Sequence, residues 1–318
     1  MSARTQPVLS VVVPVYNEAG GLPRFYESLT DVLQKLSVPY EIILVDDGSR
    51  DGTAELAAAI AAKDTAVQNV RFTRNFGKEM ATTAGLHQAR GKATIILDAD
   101  GQHPVESIPE FVRLWQDGAK VVIGRRSGRR ATFGKRWGAR LFYGLFRRVT
   151  GVRIDPDTSD FRLVDQEVRT TFNRLTEHNR ITRGLIDWLG YECEYVPYTE
   201  NPRLHGTAVY SYRKLFRLAV DSTISLSISP LYITAYIGAV VLPLSTLLGL
   251  GMVGNYMLRD PLNLHATGGA YLMVLVLFLV GILLVSQGII GLYLSHIHTE
   301  TQGRPLYVRT GDPTDGPA

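Results

Sequence analysis

Two aspartates one residue apart, Asp98 and Asp100, close an apolar run that begins at Ala93, and Gln102 follows with a further oxygen donor. Two carboxylates a few ångströms apart raise each other's pKa unless a cation sits between them. Hard cations such as Mg²⁺ take oxygen ligands and keep coordination positions for substrate phosphates. The D-x-D-x-Q pattern therefore reads as a clamp for a metal ion and, through it, a diphosphate. Alone, such a pair also suits a solvated turn. Its place at the end of an apolar strand, with polar residues at other strand ends, favours the clamp.

A second group is V-D-D-G-S-R-D-G-T, residues 45–53. A carboxylate just after a strand can accept hydrogen bonds from a ribose or a base edge, and Asp46 and Asp47 are placed for that. Ser49 and Asp51 are more simply read as caps for the following helix. A third group is V-V-V-P-V-Y-N-E, residues 11–18. Pro14 keeps the strand from continuing normally, and the loop then offers Tyr16 for stacking and Glu18 for a hydrogen bond to a base. Neither a G-x-G-x-x-G after the first strand nor a G-x-x-x-x-G-K-[ST] is present, which argues against a dinucleotide dehydrogenase or a P-loop enzyme. The single cysteine, Cys193, allows no intramolecular disulfide and no cysteine metal site.

These groups need a scaffold, and the chain supplies one. Short Val- and Ile-rich runs at 9–15, 41–45, 69–73, 93–97 and 120–124 read as strands buried on both faces. Helical stretches at Leu22–Leu36, Ala54–Lys63, Lys78–Ala89 and Val105–Trp115 separate them. Strand–helix alternation predicts an α/β fold with a doubly wound, mostly parallel sheet, whose ligands sit beyond the carboxyl ends of the strands. After Asp155–Val164, two helices and a polar strand near Glu192–Pro197 are expected.

The second half of the chain changes character. No Asp, Glu, Lys or Arg occurs from Ser222 to Leu258, nor from Pro261 to Ser295. The apolar runs 231–253 and 270–294 each exceed the roughly 20 residues that span about 30 Å of hydrocarbon. They predict two transmembrane helices. Arg213, Lys214 and Arg217 precede the first and Arg304 and Arg309 follow the second, whereas the intervening loop has Arg259 balanced by Asp260. That asymmetry predicts that both termini lie in the cytoplasm. The N-terminus carries no signal peptide. The expected organisation is a cytoplasmic domain at 1–209, a juxtamembrane helix at 210–227, two transmembrane helices within 228–296, and a cytoplasmic tail at 297–318 whose last residues are Gly-, Pro- and Asp-rich.

Between Arg125 and Arg148 lie nine Lys or Arg residues and no acid. Phe133, Trp137, Leu141 and Leu145 recur every four residues through it, giving a cationic helix with an apolar face suited to a membrane interface. Its covalent link to apolar spans argues against a nucleic-acid partner.

Taken together, P-V-Y-N-E, V-D-D-G-S-x-D-G-T, R-N-F-G-K-E (74–79), D-A-D-x-Q-H-P, T-S-D-F-R-L (158–163) and two C-terminal apolar spans resemble the family-2 glycosyltransferases. The resemblance is to their bacterial polyprenyl-phosphate branch, similar to dolichol-phosphate mannose synthases and GtrB-like enzymes, and covers nearly the whole chain. It implies a glycosyltransferase A-type fold at a bacterial plasma membrane. It also implies metal-dependent, inverting transfer of one hexose from a nucleotide-diphosphate sugar to polyprenyl phosphate, with UDP-glucose the first guess and GDP-mannose or a UDP-N-acetylhexosamine as alternatives. By the same resemblance Pro14, Tyr16, Glu18, Asp46, Asp47 and Asp98 hold the nucleotide sugar. Asp98, Asp100 and Gln102 hold Mg²⁺ or Mn²⁺; Asp98, Asp100 and Arg126 are the catalytic set. Arg126, Arg140, Ser159, Arg162 and Arg203 meet the acceptor phosphate and lipid, and the branch implies a homo-tetramer. The sequence departs from the branch at Gly101, where Leu is common, at Ser159-Asp160-Phe161-Arg162, which replaces S-G-F-R, and at 203–212, which lacks G-x-S-K-Y. The processive polysaccharide synthases are a poorer match, because Q-x-x-R-W and further spans are missing. A non-catalytic lipid-flipping or anchoring role would leave the D-x-D pair idle.

Overall fold

A computed structural model describes residues 7–127, 158–178, 180–201 and 268–311, together with 243, 247, 250, 254 and 257. Seven strands form one sheet: β1 (Leu9–Val15), β2 (Tyr40–Asp46), β3 (Val67–Arg71), β4 (Ala93–Ile96), β5 (Val121–Arg126), β6 (Thr158–Asp165) and β7 (Cys193–Tyr198), in the order β3-β2-β1-β4-β6-β5-β7. Helices α1 (Leu22–Lys35), α2 (Thr53–Lys63), α3 (Lys78–Gln88) and α4 (Ile108–Gln116) alternate with the first five strands, and α5 (Gln166–Asn173) and α6 (Thr182–Trp188) follow β6. The chain divides into two compact units, one of 1–140, 153–210 and 303–318, the other of 141–152 and 211–302. The sheet belongs to the first.

The interior of the sheet is apolar on both faces, as the unbroken Val and Ile runs require. Val11, Val13, Ile42, Leu44 and Ile95 pack with Leu22, Phe25, Leu29 and Phe111 on one side. Val12, Ile43, Val45 and Phe72 meet Ala81 and Ala84 of α3 on the other. Gly85 lets that helix sit close: a Cβ there would lie 2.2 Å from Val12 Cγ1.

β1 spans the expected 9–15, with Pro14 buried and in register with Val45. The β4 pairing stops at Val12–Ile96, so Pro14 lies past the two-sided part of the ladder and its missing N–H costs little there. Residues 158–165, left unassigned as an element by the sequence, form β6, which lies between β4 and β5 and is antiparallel to both. Its Phe161 and Leu163 enter one core and Val164 another, the alternation of a strand buried on both faces. The remaining pairs are parallel, so the sheet is mostly parallel as the pattern requires.

The helix α7 (Gly268–Thr301) belongs to the second unit and contains the second apolar run. Among the described residues no helix is long and apolar enough to cross a membrane. Nearly all of the first apolar run, the juxtamembrane helix, the basic helix beyond Ser127 and the last residues of the tail lie outside the described residues.

Replacing Gly85 with Ala sets two effects against each other. Helix propensity favours Ala by about 1 kcal/mol, but Val12 is fully buried and cannot yield, and overpacking costs about 1–3 kcal/mol. Gly85→Ala is expected to lower the melting temperature, and a double-mutant cycle with Val12→Ala to show coupling between the two positions.

Candidate active site

The polar residues gather at the carboxyl ends of β1, β2 and β4 and at the amino end of the antiparallel β6. The loops after β1 and β2 are laced together. Asn17 adopts φ 53°, a left-handed conformation that Asn tolerates. Its amide donates to Ser49 Oγ (2.9 Å) and its Oδ1 accepts from the Arg50 amide (3.0 Å). The Glu18 amide donates to Thr53 Oγ1 (2.8 Å) and the Ala19 amide to Asp51 Oδ2 (3.1 Å). Asp51 Oδ1 also accepts from the Thr53 amide (3.1 Å) at the start of α2, the capping role expected of it. Tyr16, 45% exposed beside this platform, presents a ring to solvent, and Glu18 is half-buried.

Asp46 and Asp47 build the wall of the site rather than stand open in it. Asp46 is fully buried, accepts from the Ser49 amide (3.1 Å) and lies 3.6 Å from Arg71 Nε. Asp47 Oδ1 accepts from the Phe76 amide (2.7 Å) and Oδ2 from the Gly77 amide (2.9 Å). Burial raises the Asp47 pKa, and these two amides oppose that rise. The 74–77 loop is drawn in so closely that a Cβ on Gly48 would lie 2.5 Å from the Arg74 carbonyl carbon. With φ +70° at Gly48, only glycine suits the position.

The loop delivers Lys78, the first residue of α3, to the D-x-D pair. Its Nζ lies 2.7 Å from Asp98 Oδ1 and 2.8 Å from Asp160 Oδ2. Burial opposes charge on the ammonium, but the two carboxylates raise its pKa. Burial likewise opposes ionisation of Asp160, yet Lys78, with Arg183 and Arg162, pulls its pKa down to about 2. Glu79, beside Lys78, is turned away and accepts from the Thr182 amide (2.8 Å), with its pKa raised by burial. Asp100 Oδ1 accepts from the Gln102 amide (3.0 Å), which tightens the turn after β4. Gly101 within that turn has φ +74°, so glycine relieves backbone strain there rather than merely omitting a packed side chain. The Asp98 amide donates to His103 Nδ1 (3.1 Å), and the imidazole stacks on Phe161 at 5.2 Å. An accepting Nδ1 leaves the buried ring neutral, and burial pushes its pKa down. His103 thus holds the strand end through the Asp98 amide.

On the acceptor side the structure overturns two expected contacts. Ser159 is buried and donates to the Gly124 carbonyl (2.9 Å), holding β6 to β5. Arg162, 1% exposed, donates through Nη1 to Asp187 (2.6 Å) and the Arg183 carbonyl, and through Nε to the Ser159 carbonyl. Both follow from β6 being an internal strand: Arg162 faces α6 and Ser159 faces its neighbour, not a lipid phosphate. Arg126, at the end of β5, forms an ion pair with Glu200 at 2.5 Å. Arg140 and Arg203 lie outside the described residues.

Asp98, Asp100 and Gln102 supply an all-oxygen donor set suited to Mg²⁺ or Mn²⁺. Among the described residues no group of three or more His, Cys, Asp or Glu could hold a metal by itself. Lys78, Glu79, Asp160 and Thr182 were not singled out as site residues from the sequence. Their signal was present, since Lys78 and Glu79 end R-N-F-G-K-E and Asp160 lies in T-S-D-F-R-L.

The mostly parallel α/β sheet thus carries a D-x-D pair at one strand end and tied loops at two others. The Glycosyl transferase family 2 model matches residues 10–172. A glycosyltransferase of Synechocystis sp. is 38% identical over 302 residues, covering 94% of each chain. The bactoprenol glucosyl transferase of Shigella phage SfII is 36% identical over 303 residues, covering 94% of this chain and 96% of that protein. Among solved structures, mannosyl-3-phosphoglycerate synthase from Rubrobacter xylanophilus shares the fold, with a TM-score of 0.52 at 19% identity, covering 69% of this chain and 73% of that one. The chain belongs to glycosyl transferase family 2 and is a glycosyltransferase.

The depressed Asp160 pKa has a pH consequence. A carboxylate stabilised in the folded state contributes stability above its ordinary value, 3.8, and loses it as pH falls through about 2. The wild-type melting temperature is expected to fall more steeply than that of Asp160→Asn between about pH 4 and pH 2. Parallel slopes would contradict the Lys78–Asp160 pairing.

Proposed function

We propose that this glycosyltransferase moves a single hexose from a nucleotide-diphosphate sugar, UDP-glucose first, to polyprenyl phosphate at the cytoplasmic face of a bacterial membrane. The observation that carries the reading is the grouping of Asp98 and Asp100 at the end of β4 with the laced loops after β1 and β2. The bactoprenol glucosyl transferase relatives support the choice of acceptor and sugar. The two charge-free apolar runs support membrane anchoring. The basic segment beyond Arg125 supports contact with anionic lipid. A homo-tetramer belongs to the same reading by its resemblance to the branch.

In this mechanism the Tyr16 ring stacks on the base and Glu18 takes a hydrogen bond from it. Asp98, Asp100 and Gln102 hold Mg²⁺ or Mn²⁺, whose charge, when bound, stabilises the departing nucleoside diphosphate. Lys78 keeps Asp98 oriented and neutralises part of the carboxylate cluster. Arg126 meets the acceptor phosphate. A phosphate monoester has a second pKa of about 6 and is largely a dianion at neutral pH, so it attacks without a protein base. An acceptor oxygen forms a bond to the anomeric carbon, and the bond from that carbon to the diphosphate breaks, the electron pair leaving with the nucleotide. One displacement inverts the anomeric centre.

The test is transfer itself. Purified full-length protein in detergent receives polyprenyl phosphate, Mg²⁺ or Mn²⁺, and radiolabelled UDP- and GDP-sugars in separate reactions. Label from UDP-glucose is expected in the organic phase, lost with EDTA and reduced by about 10²-fold or more in folded Asp100→Ala. Wild-type rates in Asp100→Ala would refute the clamp, and label from no donor would refute the reading.

A further inference from the structure

We infer that the segment Arg304–Thr310 is a strap that positions the donor site, with Tyr307 as its key positioning residue. The segment adds to the exposed edge of the sheet beside β3. The Thr73 amide donates to the Val308 carbonyl (3.0 Å), the Thr310 amide donates to the Arg71 carbonyl (2.8 Å), and Phe72 and Arg309 form an antiparallel bridge. The intervening Phe72 amide points the other way and donates to the Asp46 carbonyl (2.9 Å). Residues 71–73 are therefore held between the strap on one side and an aspartate-bearing strand on the other.

Side chains carry the contact inward. Tyr307 stacks on Phe72, with ring centroids 5.0 Å apart and planes at 16°. Phe72 meets Phe76 edge-to-face at 5.6 Å, and the Arg74 guanidinium lies 4.0 Å from the centre of the Phe76 ring. The Phe76 amide is one of the two that hold Asp47, and two residues on is Lys78, the partner of Asp98. Tyr307 Oη also lies 3.1 Å from His87 Nδ1, near the far end of the helix that Lys78 begins. His178 Nε2 contacts the Arg304 carbonyl, in the segment that leads to Thr182 and its bond to Glu79. The strap thus touches β3 at Arg71 and α3 at His87, and it reaches the 74–77 loop and the start of α3 through Phe72 and Phe76.

An exposed strand edge is ordinarily a liability, and an added strand satisfies it. Here the added strand follows directly on α7 in the chain. The donor site is completed only when the residues after that helix have returned to the sheet.

This inference rests on the proposed donor reading for its kinetic test and on structure alone for its exchange test. Full-length Tyr307→Ala in detergent is expected to raise KM for the nucleotide sugar about two- to tenfold, the range an aromatic pair is worth. The value of kcat and the KM for polyprenyl phosphate are expected to stay within about twofold. Amide exchange in peptides covering 72–80 is expected to quicken, and Tyr307→Phe, which keeps the stacked ring, to restore both measures. If Tyr307→Ala does not fold, Tyr307→Leu carries the same expectation at the lower end of the range. A melting temperature that falls while donor KM and exchange at 72–80 stay at wild-type values would overturn the inference. Absence of transfer in the wild type would instead overturn the donor reading, and the exchange result would still decide the strap.

Discussion

An ammonium group between two carboxylates is the contact on which the site depends. Asp46, Asp47, Asp98 and Asp160 all stand at one end of the sheet, and like charges gathered there would drive the loops apart. Each is answered differently. Lys78 joins Asp98 to Asp160, Arg71 faces Asp46, and two backbone amides hold Asp47. Lys78 ties the D-x-D turn to β6, because Asp98 follows β4 and Asp160 belongs to β6. It must begin a helix at that spot, and the turn before it must bend sharply. Gly77, at φ +103°, makes that bend, and Gly48 makes room for the loop that precedes it.

The same economy explains β6. A purely parallel sheet would bring only loop residues to its carboxyl edge. Inserting an antiparallel strand beside β4 brings a strand's beginning there instead, and with it Asp160 next to Asp98. Arg162, two residues on, then points into the protein, and its burial is tolerated because Asp187 on α6 meets it. A buried arginine left without that partner would cost several kcal/mol. What looks from the sequence like a basic contact for lipid is thus the anchor that holds a catalytic strand.

Much of the scaffold was legible in the sequence because its signals are local. Uninterrupted Val and Ile runs mark strands covered on both faces, and the first four helices begin within three residues of their expected positions. The D-x-D pair stood out because two acids after a buried strand demand an explanation. What was hidden depends on pairing between distant residues. The antiparallel placement of β6 leaves no mark in its own eight residues. Ser159 and Arg162 looked available because burial by α6 cannot be read from them. Nothing near Tyr307 says that it will stack on Phe72, more than two hundred positions earlier. Lys78 and Asp160 were visible as charged residues in quoted motifs, but their meeting was not.

The central claim is that the carboxylates after β4 hold a divalent metal and a nucleoside diphosphate together. The most direct measurement is calorimetry on the full-length protein with UDP and GDP, each titrated in Mn²⁺ and again in EDTA. The account predicts that one nucleotide binds at least about tenfold more tightly with Mn²⁺ and that Asp100→Ala erases the difference. Equal affinity with and without the metal, in a folded protein that binds the nucleotide, would contradict it.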